Sequence, residues 1–247
     1  MKKSILTNLF LFLFVFTGFS VFAEEMTDKK ETSKFSIMAD AGFGWSNNLR
    51  TEDWLNAYRN LAKANFNPGY QEKEEKSTLI YGGFDLEPRY YTGNIVYGVS
   101  IGYHKTTTGK RELTGTQIAT TNPLSYKAEA SLSMFSVMST IYYKINKSDT
   151  SFLLLGGGLG YYRATLKLKE GFNTNINSYK GNGWTIGWHT QIEYNKTFGN
   201  VVLAGGVMSR FAEVWKLEIN DSSGNEKYDS SVNMTGIYFY IGAGYLI

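Results

Sequence analysis

Residues 35–45 alternate without a slip, with Phe35, Ile37, Ala39, Ala41, Phe43 and Trp45 on one side and Ser36, Met38, Asp40, Gly42 and Gly44 on the other. A period of two is the signature of a strand. The pattern returns over about 78–91, where Ile80, Phe84, Leu86 and Tyr90 oppose Tyr81, Asp85, Glu87 and Arg89, and again over 95–104, where Ile95, Tyr97, Val99, Ile101 and Tyr103 oppose Val96, Gly98, Ser100, Gly102 and His104. Further strands are predicted at about 127–145, from 151, up to 198, over 201–219 and up to 247. The upper half of the fourth is poorly patterned and suggests a bulge, and the seventh is apolar on both parities, so its register stays open.

Eight strands result, joined by short turns at 92–94, 146–150 and 198–200 and by loops at about 46–77, 106–126, 167–182 and 220–233. Short turns on one rim and long loops on the other, with apolar residues on one parity and glycine, serine and charge on the other, describe a membrane-spanning barrel. The expected fold is all-β: an eight-stranded antiparallel transmembrane β-barrel with short periplasmic turns, long extracellular loops and a short helix in the first loop. A soluble lipocalin-like barrel would turn its apolar face inward, against the parity seen here. The helix is read from Thr51 as cap, Glu52 and Asp53 in the first turn, and a stripe of Trp54, Leu55, Tyr58, Leu61 and Ala62, which we expect to close the barrel mouth as a lid. Glu72 to Lys76 reads as a solvated loop flank.

The first 23 residues change where this barrel is placed. Lys2 and Lys3 precede an apolar core from Leu9 to Phe16 and then Val21-Phe22-Ala23, so export and cleavage after Ala23 are expected, with Glu24 following. The apolar stretch is short for a retained anchor. The domain reading is therefore a signal peptide over 1–23, a periplasmic segment over 24–33 and an outer-membrane barrel over 34–247.

Loss of Lys2 and Lys3 leaves 23 basic against 22 acidic residues, a net charge of +1 that gives no basis for nucleic-acid binding. The absence of cysteine excludes disulfides, thiolate metal sites and a cysteine nucleophile, and two histidines offer little to zinc; no metal or cofactor is expected. Aromatic residues at 16% and 26 glycines against 3 prolines suit strands. Gly156 to Gly160 lacks the Gly-Lys-Ser/Thr element and the following helix of a phosphate loop.

The signal, the eight-strand pattern and a last strand ending on Ile241, Ala243, Tyr245 and Ile247 resemble small outer-membrane barrels of the outer-membrane protein A transmembrane-domain, X and W type. That resemblance implies recognition of the terminal strand by the barrel assembly machinery, with Tyr245 and Ile247 as the signal; Ile247 stands where the family usually has phenylalanine. The resemblance covers about 34–247 as a pattern.

Candidate chemistry lies on both parities. Asp40, Asp85, Glu87, Arg89, His189 and Glu193 point inward, and the confined lumen should pair them, with an acid expected beside Arg89 and beside Lys144. Lys105, Lys127, Arg163, Lys167 and Lys180 share the lipid-facing parity just beyond the upper aromatic residues and are expected to meet lipopolysaccharide. The leading function is a non-enzymatic surface barrel with a plugged lumen, contributing to outer-membrane integrity or to adhesion through its loops, with host or surface ligands as partners. A small porin-like channel or hydrophobic-solute carrier is the alternative. A lipid A-modifying enzyme built around His189 and Glu193 is a remote one.

Overall fold

The computed structural model describes residues 34–46, 49–75, 80–106, 109–148, 150–221 and 226–247. The signal peptide and the segment 24–33 lie outside the described residues. Among the described residues twelve strands and one helix follow in chain order. They are β1 (Lys34–Ser46), α1 (Leu49–Lys63), β2 (Gln71–Glu75), β3 (Ile80–Thr92), β4 (Ile95–Thr106), β5 (Gly109–Thr116), β6 (Pro123–Ser148), β7 (Ser151–Phe172), β8 (Asn175–Phe198), β9 (Val201–Phe211), β10 (Glu213–Asp221), β11 (Glu226–Asn233) and β12 (Gly236–Leu246).

Eight of these strands close a ring in the order β1, β3, β4, β6, β7, β8, β9 and β12, every neighbour antiparallel. The last and first strands seal it, with Ile37 opposite Tyr245 and Ala41 opposite Ile241, and the Ile247 N–H donates to the Phe35 carbonyl at 2.8 Å. Closure leaves no edge among the eight, which hydrocarbon would not tolerate. Two of the bottom turns are two-residue hairpins, Gly93-Asn94 and Gly199-Asn200. The leading glycines have φ of +55° and +60°, the conformation a type II′ turn demands at its first central position.

Side-chain polarity inverts along the wall. In the lower part of β6 and β7, Phe135, Val137, Leu159 and Tyr161 face out while Ser136, Thr140 and Gly158 face in. Above the Phe135–Arg163–Trp184 row, Ser131, Lys127, Lys167 and Lys169 face out and Leu132, Ala130, Ala128, Leu166 and Leu168 are buried. A lipid-facing barrel below thus continues into a water-facing sheet above, with its apolar side turned to its own core.

That upper core corrects four sequence expectations. The segment 167–182 is not a loop, because β7 and β8 run on as one hairpin to a turn at Asn173-Thr174, with Asn173 at φ +52°. The segments 106–126 and 220–233 likewise hold β5 and β11, which pair with β6 and β10. The upper half of β6 carries no bulge; its pairing with β7 is regular from Tyr126 to Asn146, and the one shift falls between Asn146 and Ser148. The alternation had inverted rather than failed. The seventh strand is divided at Ala212 into β9 and β10, with a register shift between Val214 and Leu217.

Helix α1 covers this core. It begins at Leu49, ahead of the capping position expected at Thr51, and buries Leu55 and Ala62 in one cluster with Leu113, Tyr126, Leu217 and their neighbours, with the rings of Trp54 and Tyr58 tilted against each other at 4.3 Å alongside. Leu61 does not belong to the buried stripe; it is 71% exposed. Residues 71–75 are not a loose flank but the edge strand β2, paired with β5. Glu72 binds Arg59 at 2.6 Å and Lys63 at 2.9 Å, tying the strand to the helix, and the Lys63 ammonium holds the Glu72 carboxyl below its usual range, with Arg59 adding to the effect.

Candidate functional site

Arg89 crosses the barrel. It stands on β3, and the glutamate it reaches, Glu193, stands on β8, four strands away around the ring in either direction. Arg89 Nη1 and Nη2 donate to Glu193 Oε1 and Oε2 at 2.5 and 2.8 Å, and Nε donates to Glu87 Oε2 at 2.8 Å. Both carboxylates have further donors. Tyr142 OH donates to Glu87 at 2.7 Å, while Tyr240 OH and Asn195 Nδ2 donate to Glu193 at 2.9 and 2.8 Å. Gln191 donates in turn to Tyr142. All three charged groups are buried, and the bidentate fork is the geometry in which a buried pair outweighs its desolvation.

The sequence permits this packing by setting inward glycines beside inward bulk. A Cβ at Gly98 would stand 2.1 Å from Glu87 Oε1, and one at Gly156 2.4 Å from the Tyr142 ring. An eight-stranded barrel is just wide enough to be filled by side chains. These glycines are the notches that let long ones lie flat.

Nearer the extracellular side sits a second polar layer. His104 Nε2 lies 3.3 Å from Asp85 Oδ1 and 3.4 Å from Arg210 Nη2, and Arg210 also rests against the rings of Tyr162 and Tyr81. His189 Nε2 is 2.8 Å from Thr140 Oγ1. Glu193 lies two inward positions below His189 and is engaged by Arg89, so the two do not form a catalytic pair. Tyr81 and Tyr238 stack above this layer, and Tyr238 OH donates to the Gly83 carbonyl.

Of the inward residues singled out from sequence, Glu87, Arg89 and Glu193 meet in one clamp, while Asp85 and His189 belong to the upper layer and Asp40 lies across from Asp85. Among the described residues Lys144 is not beside an acid as expected. It is only half-buried at the foot of β6, and its ammonium sits 5.2 Å from the Phe152 ring centre. The residues missed were Arg210, hidden by the open register of the seventh strand, and Tyr142, Tyr240, Gln191 and Asn195. Their inward parity was readable, but their partners lie on distant strands.

On the outer wall Lys167 and Lys180 come together, with Arg163 four residues lower on β7, about 13 Å below Lys167. Lys167 is directly opposite Lys180, and Arg163 is opposite Trp184, which stacks with Tyr161 at 5.9 Å. Lys105 faces out on the intervening row, opposite Ser133, which is opposite Thr165. Lys127 departs from the group. It lies four residues further up β6 than Ser131, about 13 Å higher, and its ammonium is 3.6 Å from Glu112. At the other rim Tyr245 and Ile247 face outward, and Tyr245 OH accepts from Asn200 Nδ2 at 3.1 Å.

The sequence matches no family model and no curated protein. Among solved structures the chain is similar to a major outer membrane protein from Thermus thermophilus, at 13% identity and a TM-score of 0.50 over 88% of this chain and 100% of that one. It is also similar to OprG from Pseudomonas aeruginosa, at 13% identity and a TM-score of 0.43 over 88% and 97% of the two chains, and to Neisserial surface protein A, at 13% and 0.43 over 87% and 99%. Ring closure, the outward apolar zone and the first of these likenesses together give the chain the fold of the small outer-membrane β-barrel proteins.

Proposed function

We propose that this protein is a non-enzymatic outer-membrane β-barrel with a closed lumen, which contributes to the integrity of that membrane and offers its extracellular sheet and helix to surface ligands. The observation that carries this reading is the clamp of Arg89 between Glu87 and Glu193, which fills the lumen from wall to wall with side chains that are essentially inaccessible to solvent. The export signal over 1–23 supports the location, and Tyr245 with Ile247 on the outward face of the closing strand supports delivery through the barrel assembly machinery. In planar bilayers the purified protein is expected to show no steady ohmic conductance. Regular porin-sized steps would overturn the closed lumen.

Lipopolysaccharide is the lipid partner in this proposal. Two lysines directly opposite each other repel unless an anion lies between them, and Lys167 and Lys180 are so placed, about 13 Å above Arg163, which stands opposite Trp184 at the top of the apolar zone where lipid phosphates are found. Changing Arg163, Lys167 and Lys180 to glutamine is expected to remove most of the thermal stabilisation that added lipopolysaccharide gives, at about 1 kcal/mol of lipid attraction per charge. Unchanged co-purification and unchanged stabilisation would return these residues to ordinary solvated charge.

A further inference from the structure

Arg210 is a buried cation without an acid. It is 1% exposed, and among the described residues no carboxylate lies within ion-pair reach of its guanidinium. Arg89, one layer below, is held by two carboxylates, Glu87 and Glu193. A guanidinium withdrawn from water without such a partner is costly.

What Arg210 meets instead are weak or contested acceptors. Nη1 lies 3.5 Å from the thioether sulfur of Met134, which accepts feebly. Nη2 lies 3.4 Å from His104 Nε2, but that nitrogen is also 3.3 Å from Asp85 Oδ1. Carrying a proton, it donates to Asp85 and offers Arg210 nothing; without one, it accepts from Arg210 and leaves Asp85 unserved. Nε has no partner among the described residues. The ring faces of Tyr81 and Tyr162, 5.9 and 5.4 Å from the guanidinium carbon, attract the charge without cancelling it.

The guanidinium borders a cavity of about 20 Å³, room for one particle of roughly the size of a water molecule. Leu132, Met134 and Met234 give this cavity apolar walls. Ser46 and Thr106, the last residues of β1 and β4, border it too, so it lies under the low side of the mouth, where the short strands stop and β6 continues upward. We propose that this cavity binds one halide ion, such as chloride, on Arg210. The donors converge by covalent geometry, because Nε–H and the neighbouring Nη N–H point the same way from one rigid plane. A monatomic anion fits the space, whereas phosphate and carboxylate ligands exceed it. A water molecule would satisfy Nε but leave the charge standing.

Thermal unfolding of the full-length barrel in a non-ionic detergent tests this at pH 8 and constant ionic strength, with sodium chloride or sodium bromide titrated against sodium gluconate. Gluconate is too large for the cavity. The midpoint should rise saturably, by about 3–6 °C at roughly ten times the dissociation constant of the halide. Arg210→Met keeps the bulk and loses the charge, and should abolish the rise. Arg210→Lys should retain a weaker one, with a heat-modifiable gel shift showing that each variant folds. Crystals soaked in bromide should give an anomalous peak against the Arg210 guanidinium, a readout that stands even if Arg210→Met does not fold. Equal midpoints in all three salts, or a full rise retained in Arg210→Met, would overturn the proposal. So would soaked crystals whose cavity density carries no anomalous signal, which would identify a water instead.

Discussion

Arg89→Ala is expected to destabilise the barrel by about 3–5 kcal/mol, the typical penalty for leaving buried charge without its partner. The substitution strips the only guanidinium held by both Glu87 and Glu193 and leaves two carboxylates in a layer that water does not reach. Tyr142, Tyr240 and Asn195 would still donate to them, but neutral donors do not cancel two charges. Arg89→Lys should recover only part of the loss, because an ammonium cannot make the two parallel bonds to Glu193 while also serving Glu87. The measurement is the midpoint of the heat-modifiable gel shift in detergent. A midpoint for Arg89→Ala within the error of wild type would show that the clamp contributes little.

Leu55→Ala should act on a different part of the molecule. Leu55 is fully buried between α1 and the extracellular sheet, and truncating such a side chain removes about 2–5 kcal/mol. The loss falls on the lid, whose packing lies above the lipid-facing zone and shares no hydrogen bond with the Arg89 clamp. Proteases added to intact cells should therefore cut within residues 49–75 far faster than in wild type, while the gel shift of the barrel stays where it was. Cleavage and gel shift changing together would mean that lid and barrel form one cooperative unit.

The two substitutions probe the parts of the chain that the sequence disclosed unequally. The eight membrane strands were legible because lipid demands an apolar side chain at every second position, so Phe35 to Trp45 and Ile237 to Ile247 announce themselves. The strands above the membrane were not. Lys167-Leu168-Lys169 alternates as faithfully as Leu159-Gly160-Tyr161, but with its polarity reversed, and a reading tuned to the lipid face takes that for a loop. Leu61 was misplaced because a helical stripe drawn from spacing alone is wider than the face the sheet covers. Arg89 was legible as a buried charge needing an acid. That its main partner would be Glu193 was not, because the pairing depends on which strands end up across the barrel, and the inward parity of Arg210 was obscured by Val201-Val202 and the mixed pattern after them.

The reach of Arg89 to the opposite wall bears on how the chain enters its membrane. Arg89 and Glu193 are 104 residues apart and stand on strands that never touch, so no single hairpin can join them, and before closure each has only its own strand's Glu87 or Asn195. A flat intermediate laid into lipid would hold the Arg89–Glu87 pair and further unpaired carboxylates against acyl chains, the arrangement a bilayer core least accepts. The sheet therefore has to curl, hiding its inner face, before it leaves water. Once β12 zips onto β1, the same clamp holds the closed ring together across its lumen.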